Sequence, residues 1–168
     1  MTKKPLVELR DTNEEDMQFI AKWLMDKEVL RGFPMIDQRE VDDSIRYWLM
    51  YAQKKMSITA LYKKKPAGSA NLYIQPIEKL KHQCLFVILV GEEYRGKGIG
   101  TVLMKALEKR AKEMFQIEIL HLEVYENNPA ISLYKRLGFK EYGRHPGYLK
   151  EPDGTYYDKI VMQKSLIG

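Results

Sequence analysis

The sequence predicts an α/β (α+β) fold, a mixed and mostly antiparallel central sheet with helices on both faces. Two patterns predict it. Segments whose apolar residues alternate or run together are interleaved with segments whose apolar residues recur every three or four positions. One unit in mid-chain then joins the two kinds. An apolar run from Cys84 to Val90 stops at Gly91, passes through Arg95-Gly-Lys-Gly-Ile-Gly100, and leads to Val102, Leu103, Ala106, Leu107 and Met114 at helical spacing. This reads as a buried strand, a glycine-rich turn and a helix.

The other elements follow in chain order. Leu6 to Arg10 is a short strand. Thr12-x-x-Glu15 is a capping-box signature for a helix on Met17, Ile20, Ala21 and Leu24, with Trp23 along the edge of that face. Arg31-Gly-Phe-Pro34 breaks the pattern, and Asp37-x-x-Glu40 caps a second helix carrying Val41, Ile45, Trp48, Leu49 and Ala52. Met56, Ile58, Ala60 and Tyr62 alternate; Lys63-Lys-Lys-Pro66 makes a turn with solvated lysines; Ala67 to Gln75 returns as a strand. Pro76 to Gln83 is a polar connection into the central unit. Beyond it, Ile119 to Tyr125 is another strand, and Asn128-Pro129 opens a helix that ends on Gly138, with Phe139 turning back into the core. Arg144 to Thr155, with Pro146-Gly147 and Pro152-Asp-Gly154, is expected to be a long loop, and Tyr156 to Lys164 the last strand. No repeat or linker divides residues 1–168, which are expected to form a single domain.

Composition bounds the function. The net charge of +5 permits an anionic ligand without demanding one. No apolar run approaches a membrane span, and Met1-Thr-Lys-Lys-Pro lacks a signal-peptide core. The single cysteine, Cys84, excludes an internal disulfide, points to a reducing cytoplasm and reads as a buried structural thiol. His82, His121 and His145 are isolated, so no metal site is expected.

The glycine-rich turn carries the chemistry. Glycines let backbone N–H groups approach a ligand, and a helix N-terminus with unpaired donors favours an anion; Arg95 and Lys97 add positive charge there. The expectation is a phosphate cradle. A P-loop is excluded because Lys97 is followed by Gly98 and not by a hydroxyl residue. A Rossmann fingerprint is excluded because Gly96-x-Gly98-x-Gly100 has the wrong period and lies far from a first strand.

Arg95-x-x-Gly98-x-Gly100 resembles the acyl-CoA-binding motif of the GNAT (GCN5-related N-acetyltransferase) superfamily, Gln/Arg-x-x-Gly-x-Gly/Ala. A second stretch agrees: Asn127, Ala130, Tyr134, Gly138 and Phe139 stand where the family's later strand and helix carry those residues. The likeness is firm over Cys84 to Phe139. It implies acetyl-CoA as acyl donor, with no metal, and a primary amine as acceptor, on a small molecule or a protein N-terminus, attacking directly in a ternary complex. It further implies that backbone groups of Arg95, Gly96, Lys97, Gly98, Ile99, Gly100 and Thr101 hold the pyrophosphate and that Leu89 and Val90 pair with the pantetheine arm. Asn127 would contact that arm, and Lys97 and Lys135 would meet the adenosine 3′-phosphate. Tyr134 would donate a proton to the leaving thiolate. Phe33 and Met35, between the first two helices, would border the acceptor channel and are candidates to contact the acceptor.

A general base is less marked. Glu123 is the best-placed carboxylate, just before Asn127; Glu92 is second, and His121 shares the parity of Glu123. Glu151, Asp153 and Asp158 form an acidic group expected to steer a cationic amine. The alternatives are a non-catalytic acyl-CoA-binding module and a basic RNA-binding protein; the aromatic residues fall at core periods, which disfavours nucleic acid. Expected partners are the amine acceptor and a second copy of the chain, without a membrane.

Overall fold

A computed structural model describes residues 6–30 and 32–168; Met1-Thr-Lys-Lys-Pro5 and Arg31, which enter the readings above, lie outside the described residues. The elements are β1 (Val7–Asp11), α1 (Met17–Leu24), α2 (Lys27–Leu30), α3 (Gln38–Gln53), β2 (Ser57–Tyr62), β3 (Lys65–Ile74), β4 (Gln83–Val90), α4 (Ile99–Phe115), β5 (Ile119–Tyr125), α5 (Ala130–Arg136), β6 (Lys140–Lys150) and β7 (Tyr156–Ser165). The sheet has the order β1-β2-β3-β4-β5-β7-β6. Every neighbouring pair is antiparallel except β4 and β5.

Each face of the sheet has its own core. On one face Leu103, Met104, Leu107 and Ala111 of α4 are fully buried against Ile58, Ala60, Leu72 and Phe86. Burying a leucine there contributes about 1.5–3 kcal/mol. The buried stripe is one step round from the expected one: Met114 is 49% exposed, and Met104 and Ala111 complete the face. On the other face Ile20, Trp23 and Leu24 of α1 and Val41 and Trp48 of α3 pack with Leu89. Trp23 is buried, not at the edge, because it lies on Gly91: a Cβ added to that glycine would come within 2.6 Å of Trp23 Nε1.

Under α1 and α3 the sheet carries polar residues, and Thr12, Ser57, Thr59 and Ser69 pair with one another. Thr12 Oγ1 lies 2.9 Å from Thr59 Oγ1 and accepts from Ser57 Oγ at 2.8 Å, while Trp48 Nε1 donates to Ser57 Oγ at 3.0 Å. Because Thr12 is taken up in this buried cluster, helix capping begins one residue later than predicted. Asn13 N donates to Asp16 Oδ2 at 3.0 Å in place of a Thr12–Glu15 box. Asp16 is 1% exposed and receives two hydrogen bonds from Arg10, at 2.6 and 2.8 Å, and one from Thr59 at 2.9 Å. Burial opposes its charge, but the Arg10 guanidinium, Asn13 N–H and Thr59 hydroxyl outweigh burial and hold the carboxyl below its ordinary range. The second cap falls as predicted, Asp37 Oδ1 accepting from Glu40 N at 3.0 Å.

Two turns differ from expectation. The β2–β3 hairpin turns on Lys63 and Lys64 alone, at φ 48° and 67°; Lys65 and Pro66 already belong to β3. Positive φ at both positions gives the primed turn that suits strand twist. The predicted loop from Arg144 to Thr155 is mostly strand. β6 runs to Lys150 through a bulge: His145 pairs with Lys159 and Leu149 with Tyr157, leaving Pro146, Gly147 and Tyr148 opposite Asp158. An edge strand tolerates this proline, and the turn shrinks to Pro152-Asp-Gly154 and its flanks, closed by Glu151 N donating to Thr155 O at 2.8 Å.

Candidate functional site

The parallel pair makes the site. β4 and β5 are joined only at Gln83–Ile119, Cys84–Leu120 and Leu85–His121; beyond these they part. Gly91 N donates to Ala67 O, so Gly91 faces β3. Alternation then turns Leu89 to β3 and the N–H and C=O groups of Ile88 and Val90 into the gap. Of the two residues expected to offer backbone bonds there, Val90 does so and Leu89 does not. Its partner is Ile88, which the strand's parity picks out. A cavity of about 1310 Å³ fills the gap and extends to the α1–α3 connection and the β6–β7 turn.

At the mouth, Gly96 and Gly98 sit at φ 72° and 77°. A Cβ on either would meet nothing within 4 Å, so the left-handed backbone requires glycine while the space beside it stays open. The first bond of α4 is Val102 N to Gly98 O at 3.1 Å. The N–H groups of Ile99, Gly100 and Thr101 therefore have no intrahelical acceptor, at the positive end of a 17-residue helix. Arg95, Gly96, Gly98, Ile99, Gly100 and Thr101 all line the cavity. Lys97 does not; its Nζ lies 5.8 Å from the Tyr62 ring centroid. Lys135 also lies outside the lining, and Arg136, one residue further round α5, takes its place.

Where β5 gives way to α5, Asn127 lines the cavity at φ 66°. Asn128 Oδ1 accepts from Ala130 N at 2.9 Å, the predicted cap. The helix closes on Gly138, at φ 94°, with Phe139 N donating to Tyr134 O at 3.0 Å. Tyr134 is held edge-on between Phe86 and Phe139, its ring centroid 6.1 Å from each. It is 8% exposed yet lines the cavity, and burial raises its phenol pKa. Its hydroxyl has no hydrogen-bond partner among the described residues, so it is a protonated donor presented to the cavity.

The carboxylate candidates separate. Glu123 lines the cavity with Lys159 Nζ 3.3 Å away. Glu92 is outside the lining, beside Asp26, whose hydrogen bond and charge hold its carboxyl above the ordinary range. His121 bonds Gln83 Oε1 outside the lining, and burial lowers its pKa. Cys84 is buried and its thiol is pushed up to about 12 by burial. At the far end Phe33 and Met35 line the cavity, as do Glu151 and Asp153. Asp158 does not: it accepts from Gly147 N at 2.9 Å and Arg144 Nη1 at 3.0 Å, bracing the β6 bulge. Tyr125, Tyr148 and Tyr157 complete this end. Sequence periodicity gave no sign of Tyr148, because the bulge interrupts the alternation of β6. Among the described residues no group of three or more His, Cys, Asp or Glu could hold a metal ion, and no helix is long and apolar enough to cross a membrane.

The arrangement can bind a phosphate at α4, lay an extended chain along Ile88 and Val90, and present a proton donor in the cavity. Residues 17–139 match the sequence model of the acetyltransferase (GNAT) family. An N-alpha-acetyltransferase of Sulfurisphaera tokodaii is 54% identical over 55 residues, which are 32% of this chain and 33% of that protein; the chain thus matches a third of that relative's length. An N-acetyltransferase structure from Staphylococcus aureus Mu50 superposes with a TM-score of 0.84 at 19% identity, covering 96% of this chain and 99% of that one. A Salmonella typhimurium structure solved with its cofactor acetyl-CoA superposes with a TM-score of 0.80 at 18% identity, covering 97% and 95%.

Proposed function

The chain belongs to the GNAT acetyltransferase family, and from that premise we propose that it transfers the acetyl group of acetyl-CoA to a primary amine by direct attack in a ternary complex. The observation that carries this reading is the opening between β4 and β5, continuous with an open glycine turn at the α4 N-terminus. The residues present fit acetyl-CoA. The N–H groups of Ile99, Gly100 and Thr101 and the Arg95 side chain would hold its pyrophosphate, Val90 and the Ile88 carbonyl would bond its pantetheine amides, and Arg136, which lines the cavity, would meet its 3′-phosphate. When bound, it supplies an activated acyl group.

The chain's own residues do the rest. Ile88 N–H faces the gap further from the phosphate end of β4 than Val90 does, and is the backbone donor suited to a developing oxyanion. Tyr134, kept protonated by burial, gives a proton to the departing sulfur. Glu123 receives the proton of the attacking amine, directly or through water. The acceptor enters between Phe33 and Met35 on one side and Tyr125, Tyr148 and the β6–β7 turn on the other. The name of the Sulfurisphaera relative supports an α-amine of a polypeptide as that acceptor. The test is acetyl transfer, read by mass spectrometry, to a panel of α-amino peptides, small amines and amino sugars. Transfer to one class sustains the reading; CoA binding with no transfer to any would replace it with an acyl-CoA-binding module.

A further inference from the structure

One ammonium group joins two walls of the acceptor end. Lys159 of β7 lies opposite Tyr125 of β5 and opposite His145 of β6. Its stem therefore shares the sheet face of Tyr125 and of Glu123 two residues earlier. The side chain is 15% exposed. Its Nζ is 3.3 Å from Glu123 Oε1 and 3.9 Å from the Tyr148 ring centroid. Glu123 and Tyr148 both line the cavity. Tyr148 sits in the bulge, where the ladder to β7 is interrupted. Side chains hold the ring there instead: Lys159, Tyr125 stacked at 6.3 Å, and His145 edge-on at 5.0 Å. The same ammonium places a compensating charge in contact with Glu123. Of the turn's two cavity-lining acids, Asp153 accepts from Thr155 N at 2.8 Å and Glu151 lies away from the ammonium, so Glu123 is the carboxylate whose charge Lys159 itself controls.

We propose that Lys159 is a specificity-determining positioning residue. By compensating Glu123 and fixing Tyr148, it makes the acceptor end take a molecule presenting one amine, such as a polypeptide N-terminus, over a compact amine carrying several ammonium groups. This rests on the acetyltransferase reading above. A second ammonium on the acceptor gains most from an uncompensated carboxylate, and Glu123 is not one while Lys159 is in place.

The test compares spermidine with a peptide that has a free N-terminus and no basic side chain, at saturating acetyl-CoA. Lys159→Met should lower the KM for spermidine about five- to tenfold, the scale of freeing one partly exposed charge, and change that of the peptide less than about twofold. Lys159→Arg, which keeps the charge, should restore the wild-type ratio. High salt should erase the gain. A shift common to both acceptors, a gain that persists in high salt, or an Arg variant that behaves like Met would overturn the proposal. Should Lys159→Met not fold, Lys159→Gln makes the same comparison with a polar tip. Should the wild-type protein acetylate neither these two amines nor any other member of the panel above, the acetyltransferase reading is what fails. The proposal is then decided by calorimetry of spermidine and the peptide on the CoA-loaded variants, with the same order expected.

Discussion

The segment from β4 to α5 and the segment from β6 to β7 both line one cavity, yet they are built differently. The first uses main chain: a strand edge left unpaired by the parting of β4 and β5, two glycines at positive φ, and the bare N–H groups of α4. The second uses side chains on an edge strand, set by a bulge and held by Lys159, Tyr125 and Asp158. Backbone sites constrain residue type tightly, because only glycine takes φ near 75° without strain. Side-chain sites constrain it loosely. The difference predicts that cofactor binding is broken by few substitutions and acceptor choice is tuned by many.

The largest effect should come from Gly98→Glu. It strains φ 77° and sets a carboxylate at the phosphate position, so CoA should no longer raise the melting temperature. A variant that responds at the wild-type CoA concentration would move the phosphate elsewhere. Tyr134→Phe should follow, lowering kcat about 10²-fold or more with the KM for acetyl-CoA changed little. The ring's packing between Phe86 and Phe139 is kept, so an unchanged kcat under rate-limiting chemistry would reduce Tyr134 to packing.

Asp16 tests the scaffold at the other edge of the sheet, where it ties β1 to β2. Asp16→Asn leaves Arg10 without its buried partner and should cost about 2–3 kcal/mol of stability, below the full value for a buried pair because Arg10 is partly exposed. The folded-state pKa is depressed, so this contribution is complete above the ordinary carboxylate value of about 3.9 and is lost as pH falls through the folded value. Denaturant melts should therefore show the variant and the wild type converging at acid pH. A smaller effect is expected at Asp158. Asp158→Asn weakens the bulge's two bonds and should lower the melting temperature slightly, leaving both KM values in place. A raised acceptor KM would return Asp158 to the acceptor site and blur the contrast between the segments. The smallest effect is a gain: replacing Lys63-Lys64 by Asn-Gly should stabilise the hairpin by a few tenths to about 1 kcal/mol in thermal melts.

The same contrast explains what the sequence disclosed. The strand–turn–helix unit was legible because glycine spacing and helical period are local, and the Asn127-to-Phe139 stretch because its caps are local too. The parity of Ile88 was readable only once the neighbour of each strand edge was known. That Arg136 and not Lys135 lines the cavity turns on one step of helix rotation, which single-sequence periodicity cannot fix in a helix of two turns. The β6 bulge was hidden because Pro146-Gly147 is an ordinary loop signal, and only pairing with β7 through His145 and Leu149 makes it strand. Thr12 reads as a cap in the sequence because its competing partners, Ser57 and Thr59, lie more than forty residues away.

The central claim is that CoA is held by main chain between β4 and α4, and amide hydrogen exchange with and without CoA tests it most directly. The account predicts CoA-dependent protection concentrated at Ile88 to Val90 and Gly96 to Thr101, with exchange in the β6–β7 segment, Arg144 to Asp158, little changed. Protection absent from Gly96 to Thr101, or strongest in the β6–β7 segment, would contradict it.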